Sequence, residues 1–387
     1  MINIENIFND LMFEFKDFIF EGELYFDGIL FKFYLIIVLL MLIFLVLGPK
    51  KAHFSDLDDL GYGYDKERLR VIEKSFGLQL RGVHPKNFEA SFWRNQFEVL
   101  ENVIGRRFID VSIEKKKINL FFDNLPDIVP FSRCPPLKPM EVWLGINQFS
   151  EHVKINLQST PAIYVDGKPG SGKTVVIESL MRSYQKGVGE KIKVLAVTTK
   201  EPDFYPFQKE FDIQIIDTFN GDIVQNVEKI ISFMNLSNEM ESYKEINKNN
   251  QIDPDSRNLG KLREEGIYKD QPRKFFIFDE AKDYLSKDRA DSKEEAQAKQ
   301  KLVKAVYSHI RRNARFLSTP IIVASQTQTE TDLDIPLKAF HLRLASNTNE
   351  AMSKLLCGDK RLTDLSFSKG KYFLKTDTQE HIVKIPF

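Results

Sequence analysis

The stretch GKPGSGKT, Gly167–Thr174, has the spacing G-x-x-x-x-G-K-[ST]. The chemistry of that spacing is polyphosphate binding. Gly167, Gly170, Ser171 and Gly172 are expected to let the backbone curl until its N–H groups point inward at phosphate oxygens. A helix starting near Lys173 would present its positive end to the same anion. Lys173 is expected to reach the β- and γ-phosphates and the Thr174 hydroxyl to ligate Mg²⁺, so ATP and Mg²⁺ are the expected cofactors.

A second constellation is KFFIFDEAKDYL, an apolar strand ending in Asp279 and Glu280. A carboxylate at a strand tip can hold Mg²⁺ through water, the role expected of Asp279. Glu280, one residue on, would face the γ-phosphate and polarise the attacking water. A third is RRNARFLSTPIIVASQ. Gln326 closes an apolar strand, where its amide could sense the γ-phosphate or orient water. Arg315 precedes it on a helical stretch and reads as solvated unless a neighbouring subunit brings a nucleotide to it.

The elements that must position these groups follow from periodicity. AIYVDG, KVLAVTT, IQIID, KFFIFDE and PIIVASQ are short apolar strands alternating with helices, the pattern of a mainly parallel sheet covered on both faces. That is an α/β core over 139–387, with a polar insert, Ser237–Arg273, whose NKNNQIDPDSRN reads as a surface loop. Before it, 67–138 reads as a small α+β domain. KERLRVIEKSFGL is expected to be helical with Leu69, Ile72 and Phe76 on one face, and FEASFWRNQFEVLENVIG to be a second helix stopped by Gly105. RFIDVSIEKK and KINLFFDNLPDIVP alternate as half-buried strands do, and SRCPPLKP marks the boundary.

The 387 residues carry 55 basic and 55 acidic side chains, a balance that excludes a uniformly basic nucleic-acid coat. Cys134 and Cys357 match no metal or redox spacing and read as two reduced core thiols. Phe33–Gly48 holds no charge; with Ile29–Phe31, and Lys32 snorkelling near one end, it makes a segment, 29–48, long enough as a helix to cross about 30 Å of hydrocarbon. Lys50 and Lys51 follow it and an acidic flank precedes it, so the positive-inside rule predicts a single-pass protein of the cell membrane with a cytoplasmic body. Residues 1–28 would be a short extracytoplasmic or interfacial segment, and 49–66 a linker.

With these pieces in order, the chain from Trp143 to near its end resembles the FtsK/SpoIIIE branch of P-loop motors. WLGINQFSEHVKINLQSTPAIYVDGKPGSGKTVVIESLMRS is similar to that family's entry into its glycine loop. TTKEPDF, NEMESYKEIN, DEAKDYL, RRNARFLSTPIIVASQTQ and the closing FHLRLASNTNEAMSKLLCGDKRLTDLSFSKGKYFL resemble its later segments. The resemblance implies a RecA-like core of the ASCE type, assembled into a ring, a hexamer, around duplex DNA held without sequence preference. It also implies a nucleotide between subunits, completed by an arginine from the neighbour: Arg315, with Arg343 as a second candidate. One expected span, and no room after the core for a winged-helix domain, bring the layout closest to the coupling ATPases of Gram-positive conjugative elements, which feed DNA to membrane channel or conjugation components. A type VII-like protein-secretion motor is the alternative, although those chains carry several motor modules in tandem; a nucleotide-binding scaffold without catalysis is a third reading.

Overall fold

Two β-sheets organise the described residues. The computed structural model describes residues 62, 69–75, 77–218, 221–235, 241, 259–264, 266, 272–286, 288, 290–326, 332–358, 360–364 and 367–387. The expected segment 1–28, the membrane helix 29–48, most of the linker 49–66 and the loop 247–258 therefore lie outside the described residues. Among the described residues no helix is long and apolar enough to cross a membrane.

The first sheet has four antiparallel strands: β1 (Arg70–Lys74), β2 (Gly77–Arg81), β3 (Phe108–Glu114) and β4 (Lys117–Phe122), in the order β1-β2-β4-β3. Between β2 and β3 the one helix expected over FEASFWRNQFEVLENVIG is two, α1 (Ala90–Asn95) and α2 (Phe97–Ile104), parted at Gln96; the latter is stopped by Gly105 in the left-handed region, as its sequence predicts. The helix expected over KERLRVIEKSFGL is instead the β1–β2 hairpin. Leu69 and Ile72 do fall at helical spacing, but Val71 and Ile72 are β-branched and favour extended backbone. Gly77 decides the matter. At φ +157°, it brings β2 so close to β4 that a Cβ there would lie 1.9 Å from the Leu120 carbonyl oxygen. A long-range pairing thus overrides a local period.

The second sheet has ten strands: β5 (Glu141–Asn147), β6 (His152–Asn156), β7 (Ala162–Asp166), β8 (Lys193–Thr198), β9 (Asp212–Asp217), β10 (Lys274–Phe278), β11 (Ile321–Ser325), β12 (Leu342–Ala345), β13 (Lys371–Lys375) and β14 (Glu380–Lys384). Their order is β6-β5-β14-β13-β12-β7-β11-β10-β8-β9. The six strands from β12 to β9 in that order are parallel, and β13, β14, β5 and β6 extend the sheet antiparallel. β7, β10 and β11 are buried almost throughout, which is why they read as unbroken apolar runs.

Helix α3 (Lys173–Val188) follows β7 and buries Val176, Ile177, Leu180, Met181 and Tyr184 against the sheet. Helix α4 (Ile223–Met234) is capped by Asp222, whose carboxylate accepts from the backbone N–H groups of Val224 and Gln225. Helix α5 (Lys293–Ser308) opens on a reciprocal cap between Ser292 and Glu295 and runs into one π-helical turn, His309–Asn313. Cys134 and Cys357 are both buried as thiols.

Candidate active site

Strand order brings the chemistry together. β11 lies between β7 and β10, so the phosphate-loop strand and the acidic strand are next-but-one neighbours. In register, Asp166 pairs with Ser325, and Phe278 pairs with Val323 on one side and Val197 on the other. The residues after these tips are Gly167, Gln326, Asp279 and Thr198, all emerging at one edge of the sheet. This is the edge where open α/β sheets bind ligands.

The loop has the shape of an anion cradle. Gly170 (φ +81°) and Gly172 (φ +99°) occupy left-handed backbone, and a Cβ on Gly167 would sit 2.5 Å from Ser171 Oγ. Ser171 is buried, its hydroxyl 3.2 Å from that of Tyr372. Lys173 opens the 16-residue helix α3 and is only 8% exposed. Its Nζ donates to the Gly167 carbonyl over 2.7 Å, curling the ammonium into the loop. Burial pushes its pKa down; the nearby charges of Glu280 and Asp279 act in the opposite direction. Thr174 is half-buried one residue further on. Beneath the loop the buried hydroxyls of Ser325 and Ser346 have no hydrogen-bond partner among the described residues.

Asp279 is 3% exposed; its N–H donates to the Val197 carbonyl over 2.8 Å and its Oδ2 is 3.4 Å from Thr198 Oγ1. Burial, and then the charge of Glu280, raise its carboxyl above the usual range against the pull of Lys200 and Lys173. A cation at this edge would relieve both effects. Glu280 has left-handed backbone, φ 51° and ψ 46°. That conformation is unusual for a non-glycine residue, and such strain collects at functional sites. Its Oε1 accepts from Lys200 Nζ at 2.5 Å and from Gln326 Nε2 at 2.7 Å. Burial alone would raise the Glu280 carboxyl; these donors outweigh it and hold the group below its usual range.

Arg315 stands elsewhere. It is exposed, and its Nη2 donates to the Ser159 carbonyl over 2.9 Å, before β7 begins. The length of a five-residue strand, about 16 Å at roughly 3.3 Å per residue, separates that edge from the loop. Arg343 lies within β12, paired in register with Tyr164. Sequence reasoning assigned no role to Lys200. The available signal was its place at the end of VTTK, the strand neighbouring the acidic one.

The fold and the loop define a P-loop NTPase type of α/β core, with a large, mostly parallel sheet and one strand inserted between the loop strand and the acidic strand. No protein-family model and no curated protein matches the sequence. Among solved structures, the chain is similar to the pCW3 conjugation coupling protein TcpA, in its monomer form with ATPγS. The TM-score is 0.62 at 16% identity, over 86% of this chain and 92% of that one. It is also similar to the cytoplasmic domain of the Thermomonospora curvata type VII secretion ATPase EccC, with a TM-score of 0.50 at 20% identity, over 65% of this chain and 29% of that one. The likeness is one of fold, and it agrees with the FtsK/SpoIIIE-type fold that the motifs imply.

Proposed function

We propose that the chain is a membrane-anchored, ring-forming ATPase that moves DNA, the coupling protein or DNA pump of a conjugative or mobile element. The observation that carries the ATPase reading is the convergence of Lys173, Asp279, Glu280 and Gln326 at one sheet edge beside a glycine cradle. The likeness to a coupling protein over nearly the whole of both chains supports the choice of DNA as cargo.

In this reading the backbone of Gly167–Gly172 and the N-terminus of α3 bind the phosphates, and Lys173 exchanges its loop carbonyl for phosphate oxygens. Thr174 and Asp279 supply the hard oxygen donors that suit Mg²⁺, which when bound would neutralise phosphate charge. Glu280 accepts the proton of the attacking water, and Gln326, already on its carboxylate, orients that water. Arg315 serves the nucleotide of the neighbouring subunit, since its own lies across the sheet. DNA is held by its phosphates, so binding is salt-sensitive and indifferent to sequence.

The test is ATP hydrolysis by the full chain in detergent, with and without long duplex DNA. Stimulation at low salt that fades as salt rises is expected. A ring-forming sample that DNA does not stimulate would sink the DNA reading. Stimulation by a secreted polypeptide instead would favour a type VII-like secretion motor, the reading that the EccC likeness supports.

A further inference from the structure

One turn joins the phosphate loop to the four-stranded sheet. The residues SKGK, Ser368–Lys371, lead into β13. The Gly370 N–H donates to the Ser171 carbonyl over 3.0 Å. A Cβ on Gly172 would meet Gly370 N at 3.6 Å and Lys369 Cγ at 3.7 Å, so turn and loop pack in van der Waals contact. The next residue in β13, Tyr372, brings its hydroxyl to Ser171 Oγ.

The far side of the same turn is fastened elsewhere. Lys371 Nζ donates to Asp123 Oδ2 over 2.5 Å, with side chains only 8% and 18% exposed. Asp123 follows β4 directly, and its N–H is held by the Arg107 carbonyl. Lys384 Nζ donates to the Lys369 carbonyl at 2.6 Å, and the Gly370 carbonyl accepts from Ile385 N at 2.9 Å. Asp127 and Lys384 complete the local charges around the pair.

A buried ion pair is weak evidence of stability, but losing one partner is costly because the other charge stays buried and unmatched. Here the released charge sits one residue from the amide that braces Ser171. We propose that Lys371 is a positioning residue for the phosphate loop: by pairing with Asp123 it holds the Lys369–Gly370 turn against Ser171 and Gly172, so that the four-stranded sheet sets the loop's affinity for a nucleoside triphosphate. The inference rests on the nucleotide reading above. Linkage requires that it also run backwards, so that a triphosphate on the loop steadies the end of β4.

The test uses the full chain in detergent with ATPγS as probe. Lys371→Met and Asp123→Asn should each weaken binding about tenfold. Exchanging the charges, Lys371→Asp with Asp123→Lys, should recover most of the loss. Arg273→Met is the control. Arg273 pairs with Glu190 at the start of β10, a strand's length from the edge that carries the phosphate loop, and its loss should lower Tm while leaving ATPγS affinity unchanged. In the native chain, ATPγS should slow amide exchange at Asp123 and Asn124 as well as in the loop. This arm decides the matter if a variant fails to fold. Native affinity in a folded Lys371→Met, or no protection at Asp123, overturns the proposal alone. A native chain that does not bind ATPγS overturns the nucleotide reading with it.

Discussion

Lys200 Nζ lies 2.5 Å from Glu280 Oε1 and bridges the tips of two neighbouring parallel strands, β8 and β10. The oxygen it occupies is one that a catalytic carboxylate needs for water. Burial opposes ionisation of Glu280, and the hydrogen bonds from Lys200 and then Gln326 reverse the balance. A carboxyl held low in the folded state adds stability above its ordinary pKa and loses it as pH falls through the lowered value. Lys200→Met should therefore raise the Glu280 pKa and move the acid limb of the hydrolysis profile to higher pH. A pH–rate profile unchanged from native would show that the pair does not persist in the working enzyme.

Lys173 and Glu280 should separate binding from chemistry. Lys173→Ala removes the only ammonium curled into the loop among the described residues and should abolish ATP binding. Glu280→Gln keeps an acceptor for Lys200 but loses the base. It should bind ATP, assemble as native does and hydrolyse about 10²–10⁴-fold more slowly. Equilibrium binding beside steady-state hydrolysis checks both; wild-type turnover in Glu280→Gln would remove Glu280 from the chemistry.

The position of Arg315 predicts complementation between subunits. Exposed at the opposite sheet edge, it has no route to its own loop. Arg315→Ala should lose about 10³-fold in hydrolysis, the scale of an arginine finger. Mixing it with Lys173→Ala should restore activity, because some sites then combine an intact loop with an intact arginine. Mixtures as inactive as either parent would argue that Arg315 works within its own chain or not at all.

His309 gives the fold a pH dependence of its own. The ring is 3% exposed and its Nε2–H donates to the Thr319 carbonyl over 2.9 Å. Burial lowers its pKa from 6.5 to about 4. Between those values the unfolded chain takes up the proton and the folded chain does not, so stability falls as pH drops through that window. The expected loss is about 3 kcal/mol. Denaturant titrations at stepped pH should show that slope in the native chain and a shallower one in His309→Gln.

Much of the site was legible in the linear chain because its parts are local. The eight residues from Gly167 to Thr174 carry the cradle, the lysine and the helix start within one strand–loop–helix unit, and each apolar run became the strand its composition predicts. The helix expected over KERLRVIEKSFGL became a hairpin because its partner, β4, lies some forty residues away and no local window contains it. The role of Lys200 is hidden in the linear chain for the same reason. A lysine after a strand is ordinary until strand order sets it beside an acidic neighbour. Types and spacing along the chain determined which groups can meet a triphosphate. Strand order decided that Asp279, Glu280 and Gln326 face Lys173 while Arg315 does not, because hydrogen-bonded pairing between distant strands selects which tips share an edge.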